Sequence, residues 1–321
     1  MSTNLRTVFV ILGMHRSGTS ALTRLINLCW KAELPLNLMR PGPDNERGFW
    51  ESARLALLND ELLQTFGLAW YSIKELPRGW ADTAQARRLS LELEFSFREE
   101  FGVAPRCVFK DPRMCRLLPV WRSIFRTLRM QVHYILVVRH PLEVSASLQS
   151  RDASQLASSL REIGGMTEQH ALLLWLRHFL DAERDTRGQN RSFVAYDQLL
   201  GDWRTTVSKI SADLGLPRPA VSEATRRKIQ DFLSPALRHH HVASNMACGN
   251  LPDLDACFGL AQNAASGGQP DLDQIDNIRR SFGDVLASKP EPLPPTLAHV
   301  SGEPVAETRK LRCKRPHGDL V

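Results

Sequence analysis

The chain alternates short apolar runs with longer stretches in which apolar residues recur every three or four positions. Thr7–Leu12 is an apolar, β-branched run of strand length, which predicts a strand buried on both faces. Gly13–Gly18 predicts a turn, and Thr19–Trp30 then sets Leu22, Leu25, Ile26 and Cys29 at helical spacing. The same grammar recurs three times. Arg106–Phe109 is a second strand before helical spacing over Leu117–Leu128. Val132–Val138 is the clearest strand, before a helix over Leu142–Ser150. Ser192–Tyr196 is a fourth, before a helix over Trp203–Leu214. Helices are also predicted over Ser52–Phe66, with Ser52 at the capping position, and over Thr83–Phe101 and Ala171–Arg187. Pro41–Glu51 reads as a loop from its Pro, Gly and Asn content.

Strands separated by helices predict an α/β protein of three layers: a central, mostly parallel sheet with helices on both faces. Ligands of such sheets bind beyond the C-terminal ends of the strands. The polar clusters of this chain fall there: His15–Ser20, Lys110–Arg113, Arg139–Pro141 and Tyr196–Asp197 each follow a strand. From about Ser288 the composition turns proline-rich and loses apolar periodicity. The expected organisation is therefore a domain over 1–287 and a disordered tail over 288–321. The tail's basic end (Arg309, Lys310, Arg312, Lys314, Arg315) is expected to be solvated, with peripheral contact to an anionic surface as the alternative.

Bulk composition narrows this little. The 321 residues are 43% hydrophobic and 24% charged, ordinary for a globular protein, and the formal charge of +6 favours anionic ligands without choosing among them. The six cysteines form no CxxC pair and no metal-ligand spacing, which predicts reduced, buried thiols and no metal. No apolar run reaches membrane-spanning length, and the N-terminal run is strand-length and leads directly into a glycine turn. The expectation is a cytoplasmic protein. Scattered basic residues without an aromatic platform argue against a nucleic-acid partner.

The most informative segment is Gly13-Met-His-Arg-Ser-Gly18-Thr19-Ser20. It has the spacing of a phosphate-binding loop, GxxxxGK[ST], with threonine where the lysine should stand. Glycines at both ends let backbone N–H groups curl inward, and the following helix adds its N-terminal partial charge, so an anion is favoured there. His15, Arg16, Ser17, Gly18, Thr19 and Ser20 are the expected contacts. The missing lysine argues against an ordinary nucleotide triphosphatase, which needs metal to offset the triphosphate charge; Asp111 is the one candidate carboxylate for it. A sulfuryl group carries less charge, and Arg16 with the loop amides can suffice.

This loop resembles the 5'-phosphosulfate loop of bacterial sulfotransferase-family proteins. A second motif agrees: Arg139 at the end of a strand, with Ser147 eight residues on, resembles the family's 3'-phosphate site. A guanidinium fork with a hydroxyl suits a terminal phosphate. Arg47–Glu51 (RGFWE), KDPR at 110–113, RHPLEVSASL at 139–148 and YDQLL at 196–200 extend the likeness over most of 7–240. The resemblance implies a P-loop-like sulfotransferase fold and 3'-phosphoadenylyl sulfate (PAPS) as co-substrate, with no metal. It also implies a hydroxyl acceptor, of carbohydrate or glycolipid class, and gives Arg16 the leaving-group role.

In-line sulfuryl transfer needs a base for the acceptor proton, donors for the moving oxygens and a cation at the bridging oxygen. Glu51 is the expected base, as several members of the superfamily use a glutamate in this region; Asp111 and His15 are its rivals. Lys110, Arg113 and Trp50 are the expected substrate contacts, with structural pairing to Asp111 the alternative for the two cations. Trp50 and Trp70 are candidates to stack on a sugar. Arg238 with His239–His241 suggests a loop at the 3'-phosphate or acceptor. Tyr196 and Asp197 read as structural. Two other functions stay open: a P-loop kinase without the usual lysine, and a nucleotide-binding module without catalysis. Nothing in the sequence identifies the oligomeric state.

Overall fold

In a computed structural model of the chain, residues 5–42, 45, 47–154, 165–233, 240–243, 246–249 and 251–288 are described. They belong to one compact unit, Met1–Glu291. Four strands, β1 (Arg6–Leu12), β2 (Arg106–Lys110), β3 (Met130–Val138) and β4 (Arg191–Ala195), form one sheet in the order β2-β1-β3-β4. Every pairing is parallel: Ile11 lies opposite Lys110, Leu12 opposite Leu136, and Val138 opposite Ala195.

The helices are α1 (Thr19–Trp30), α2 (Ala53–Gln64), α3 (Ala84–Phe101), α4 (Met114–Thr127), α5 (Pro141–Ser154) and α6 (Glu168–Thr186). After β4 come α7 (Tyr196–Gly201), α8 (Trp203–Asp213), α9 (Glu223–Phe232), α10 (Pro252–Ala265) and α11 (Leu272–Ser288). Ser52 caps α2 as its sequence position predicts, its Oγ accepting from Leu55 N at 3.2 Å.

Strand alternation explains the three layers. Val8, Val10 and Leu12 of β1 face a core shared with α3, α4 and α6, whereas Phe9 and Ile11 face a second core with α1, α8 and α9. Both faces of the sheet are therefore covered, as a parallel sheet requires. The chain leaves β1 toward β2 on one side and returns past it to β3 on the other. The crevice beyond the C-terminal end of β1 is thus a topological switch point, where ligands of open α/β sheets bind. Helices α9 to α11 have no counterpart in the sequence expectations. Among α9 residues only Ile229 is buried, so its pattern is nearly all polar.

Of the six cysteines, Cys29, Cys107, Cys115, Cys248 and Cys257 are free and buried; Cys313, like the whole predicted tail from 289 onward, lies outside the described residues. No helix among the described residues is long and apolar enough to cross a membrane.

Candidate functional site

The four polar clusters lie at one end of the sheet, beyond the C-terminal ends of its parallel strands. The loop at 13–18 connects β1 to α1, Lys110 closes β2, Arg139 follows β3, and Tyr196 follows β4.

The loop is held by contacts that its sequence alone does not announce. The N–H of Gly13 donates to Cys115 Sγ at 3.2 Å, which ties the loop to α4. Arg16 takes φ 68°, a left-handed conformation that costs a non-glycine residue roughly 1–2 kcal/mol. At Gly18 (φ 90°) a Cβ would lie 2.1 Å from Cδ2 of Tyr196, so glycine is needed for space as well as for backbone. Helix α1 starts from Gly18 without a side-chain cap, leaving its first-turn amides to other partners. Ser17 Oγ is buried without a hydrogen-bond partner. Ser20 Oγ donates to the Phe49 carbonyl at 3.1 Å, and Thr19 is buried against Gly13.

The two predicted anion motifs join here. Arg16 Nε donates to Ser147 Oγ at 2.9 Å, and Arg139 Nη1 donates to the Arg16 carbonyl at 2.8 Å. Residues more than 120 positions apart thereby become one cationic site with hydroxyls. Arg139 also pairs with Glu143 at 2.9 Å, and its guanidinium carbon lies 4.6 Å from the centre of the Tyr196 ring.

A second group forms at the end of β2. Glu51 and Lys110 are buried together, 5% and 3% exposed, and Lys110 Nζ donates to Glu51 Oε1. Arg113 lies 3.9 Å from the other Glu51 oxygen and pairs with Asp60 at 2.6 Å. Asp111 is fully engaged. Its Oδ1 accepts from the Arg113 backbone and guanidinium, both at 3.0 Å, and its Oδ2 accepts from Asn59 at 2.8 Å. Asn59 in turn accepts from Trp121 Nε1 at 3.0 Å. Burial pushes the Glu51 carboxyl above the usual carboxylate range; Lys110 and Arg113 pull it down, Asp111 pushes it up, and burial dominates.

His15 lies beside Trp70, with ring centres 4.8 Å apart, and 6.4 Å from His178. The residue is partly buried, and its Nε2 is buried without a partner. Burial, then the charges of Arg113 and Arg151, hold its pKa well below the ordinary value, so it is neutral near pH 7. Arg151 lies over Trp70 at 5.4 Å. The Trp50 ring packs between Arg24, 4.9 Å away, and Phe232, 5.8 Å away edge-on. Arg238 and His239 lie outside the described residues; next to them, the N–H of Val242 donates to Glu143 Oε1 at 3.0 Å.

Sequence reasoning did not single out Glu143, Asn59 and Cys115; Tyr196, read as structural, packs on Gly18 and under the Arg139 guanidinium. Only Glu143 carried a local signal: a carboxylate four residues after Arg139 on a helix is positioned to pair with it. Among the described residues no cluster of three or more His, Cys, Asp or Glu side chains could hold a metal ion.

Comparison with known proteins adds the family. No curated protein matches the chain. Among solved structures, the sulfotransferase domain from the curacin biosynthetic pathway is 15% identical and aligns over 90% of this chain and 94% of its own, with a TM-score of 0.41. The sulfotransferase domain of the Synechococcus PCC 7002 olefin synthase is 19% identical over 90% and 97%, with a TM-score of 0.39. A sulfotransferase from Mycobacterium tuberculosis H37Rv is 15% identical over 82% and 77%, with a TM-score of 0.40. The model of the Sulfotransferase family matches residues 8–220. That match spans more than half of the chain and includes the loop, the Lys110 cluster, Arg139, Ser147 and Tyr196, and by it the protein belongs to the sulfotransferase family.

Proposed function

We propose that this sulfotransferase takes its sulfuryl group from PAPS and passes it in line, without metal, to a hydroxyl acceptor. The observation that carries the reading is the joining of the two anion motifs: Arg16 bonds to Ser147, and Arg139 bonds to the Arg16 carbonyl. A nucleotide with phosphates at both its 5' and 3' positions needs two anion sites at a fixed separation, and the joining of the two motifs by these contacts supports that reading. The donor set fits the 5' end: uncapped amides at the start of α1, the Ser17 hydroxyl and the Arg16 cation.

PAPS supplies an activated sulfuryl group. The acceptor oxygen bonds to sulfur, the bond from sulfur to the bridging phosphate oxygen breaks, and the acceptor proton passes to a base. Glu51 takes that proton; its raised pKa makes it a better acceptor than an exposed carboxylate. Lys110 and Arg113, beside it, stabilise charge on the moving sulfuryl oxygens. Arg16 offsets charge on the leaving oxygen as a fixed cation, since arginine keeps its proton. Asp111, with both oxygens engaged, sets the orientation of Arg113. His15 and Trp70 form an aromatic wall next to the loop that suits a sugar face, consistent with an acceptor of carbohydrate or glycolipid class.

The test is calorimetric titration with adenosine 3',5'-bisphosphate in the absence of metal, beside ATP with Mg²⁺. The expected result is micromolar binding of the bisphosphate, weakened about tenfold or more by Arg139→Ala, as loss of a charged hydrogen bond does. Tight Mg-ATP binding without bisphosphate binding would replace this reading with a kinase.

A further inference from the structure

Arg139 is gripped on several sides. Its Nε donates to Glu143 Oε2, its Nη1 to the Arg16 carbonyl, and its guanidinium lies over the Tyr196 ring. Each of these groups is anchored in turn. Glu143 is fully buried, and its second oxygen accepts the N–H of Val242. Tyr196 is 6% exposed and wedged so closely on Gly18 that no Cβ fits between them. The Arg139 carbonyl accepts from Trp175 Nε1 at 3.2 Å, which fixes its backbone as well.

Glu143 shares the positive charge of Arg139, so it does not strengthen the arginine's pull on an anion in general. What it supplies is direction. With Nε and one Nη1 bond committed, and the flat face covered by Tyr196, the guanidinium cannot swing to meet an anion elsewhere. Its Nη2 carries none of these contacts and has one fixed heading. A long side chain fixed in this way has already lost the rotamer freedom that anion binding would otherwise cost.

We infer that Glu143 and Tyr196 are positioning residues that give the site its selectivity for a nucleotide bearing a 3'-phosphate over the same nucleotide without it. The inference rests on the PAPS reading above and adds to it the residues that make Arg139 discriminate.

The experiment compares dissociation constants for adenosine 3',5'-bisphosphate and adenosine 5'-monophosphate in the wild type, Glu143→Gln, Tyr196→Leu and Tyr196→Phe. The wild type is expected to prefer the bisphosphate. In Glu143→Gln one of two acceptor oxygens becomes a donor, and the preference should fall about tenfold, as when a charge-assisted hydrogen bond is lost. Tyr196→Leu removes the flat ring and should lower the preference in the same direction, whereas Tyr196→Phe keeps the ring and should restore it. Monophosphate affinity should stay within about twofold throughout, since it does not use Arg139 in this reading. A purely structural role would weaken both nucleotides together or shift only the melting temperature. A preference that is unchanged or raised in Glu143→Gln and Tyr196→Leu overturns the inference and leaves the PAPS reading intact. A wild type without preference removes both. Should Glu143→Gln not fold, the Leu and Phe variants at Tyr196 decide alone.

Discussion

Glu51 and Lys110 are the closest buried pair of opposite charges at the candidate site. Removing such charges from water costs several kcal/mol each, on the order of what their attraction returns. The consequence is asymmetric. Deleting one partner strands the other, at roughly 3–5 kcal/mol, whereas replacing both with apolar groups of similar volume is close to neutral. Lys110→Met should therefore destabilise the fold by about 3 kcal/mol in urea denaturation, and Lys110→Met with Glu51→Leu should recover most of that loss. Both proteins should lack sulfuryl transfer. Equal stability of the single and double variants would mean that the pair is not a buried ion pair in solution. Glu51→Gln gives the catalytic half of the same argument: an amide can accept from Lys110 but cannot take a proton, so transfer should vanish while bisphosphate binding stays. Wild-type rates in that variant would return the base role to His15 or Asp111.

At the level of elements, the strand, loop and helix spanning Arg6–Trp30 show what local pattern carries and what it omits. The apolar run of β1, the glycine spacing and the apolar stripe of α1 each belong to a few consecutive residues, and all three were legible. The partner of Gly18 was not, because Tyr196 reaches it from the end of a strand far along the chain. That contact makes a specific prediction. Gly18→Ala adds a methyl group where the Tyr196 ring already lies, at a φ that costs a non-glycine residue about 1–2 kcal/mol. The ring must move, and Arg139 above it loses its platform. Bisphosphate affinity should fall by more than about tenfold, and a crystal of the variant should show Tyr196 displaced. Retention of wild-type affinity would show that the ring yields without consequence. The same logic separates the rest of the legible from the illegible. Sheet class and the four strand-end clusters follow from periodicity. The Arg16–Ser147 bond, the saturation of Asp111 by Asn59 and Arg113, and the seat of Gly13 on Cys115 depend on which helices cover which strands. Helices α9 to α11 lie outside those expectations: α9 offers only Ile229 to the core, whereas α10 buries Leu254, Cys257, Phe258 and Ala261, and α11 buries Ile275, Ile278 and Phe282 at helical spacing. The patterns of α10 and α11 were therefore legible, since apolar residues recur there at helical spacing.

For the whole molecule, the buried histidines make stability depend on pH in a direction that can be worked out. His178 lies in α6 beside the phosphate loop, fully buried. It sits near two buried arginines that strap the segment 72–75 to the helices: Arg116 donates to the Ser72 carbonyl at 2.6 Å, and Arg177 donates to Ile73 at 2.8 Å and pairs with Glu75 at 2.6 Å. His178 Nδ1 bonds the Leu174 carbonyl at 2.9 Å, so that nitrogen carries the proton, and Nε2 is buried without a partner. Burial, and then the Arg116 charge, push its pKa down to about 3. Unfolded, it titrates near 6.5. Between these values the unfolded chain binds a proton that the folded chain refuses. The stabilising contribution is therefore complete above pH 6.5 and is lost as the pH falls toward 3. By linkage the loss between pH 7 and pH 5 is about 2 kcal/mol from this residue alone. His133, lowered to about 4 by burial, and His15 act in the same direction, whereas Glu51 and Asp60, raised by burial, act against it where carboxylates titrate. The contribution of His178 is isolated by its own variant. His178→Leu should unfold in urea with a difference between pH 7 and pH 5 that is smaller than the wild type's by about 2 kcal/mol. If both proteins lose stability in parallel over that range, the acid sensitivity arises at other groups, and His178 accepts a proton in the folded state more readily than its surroundings imply.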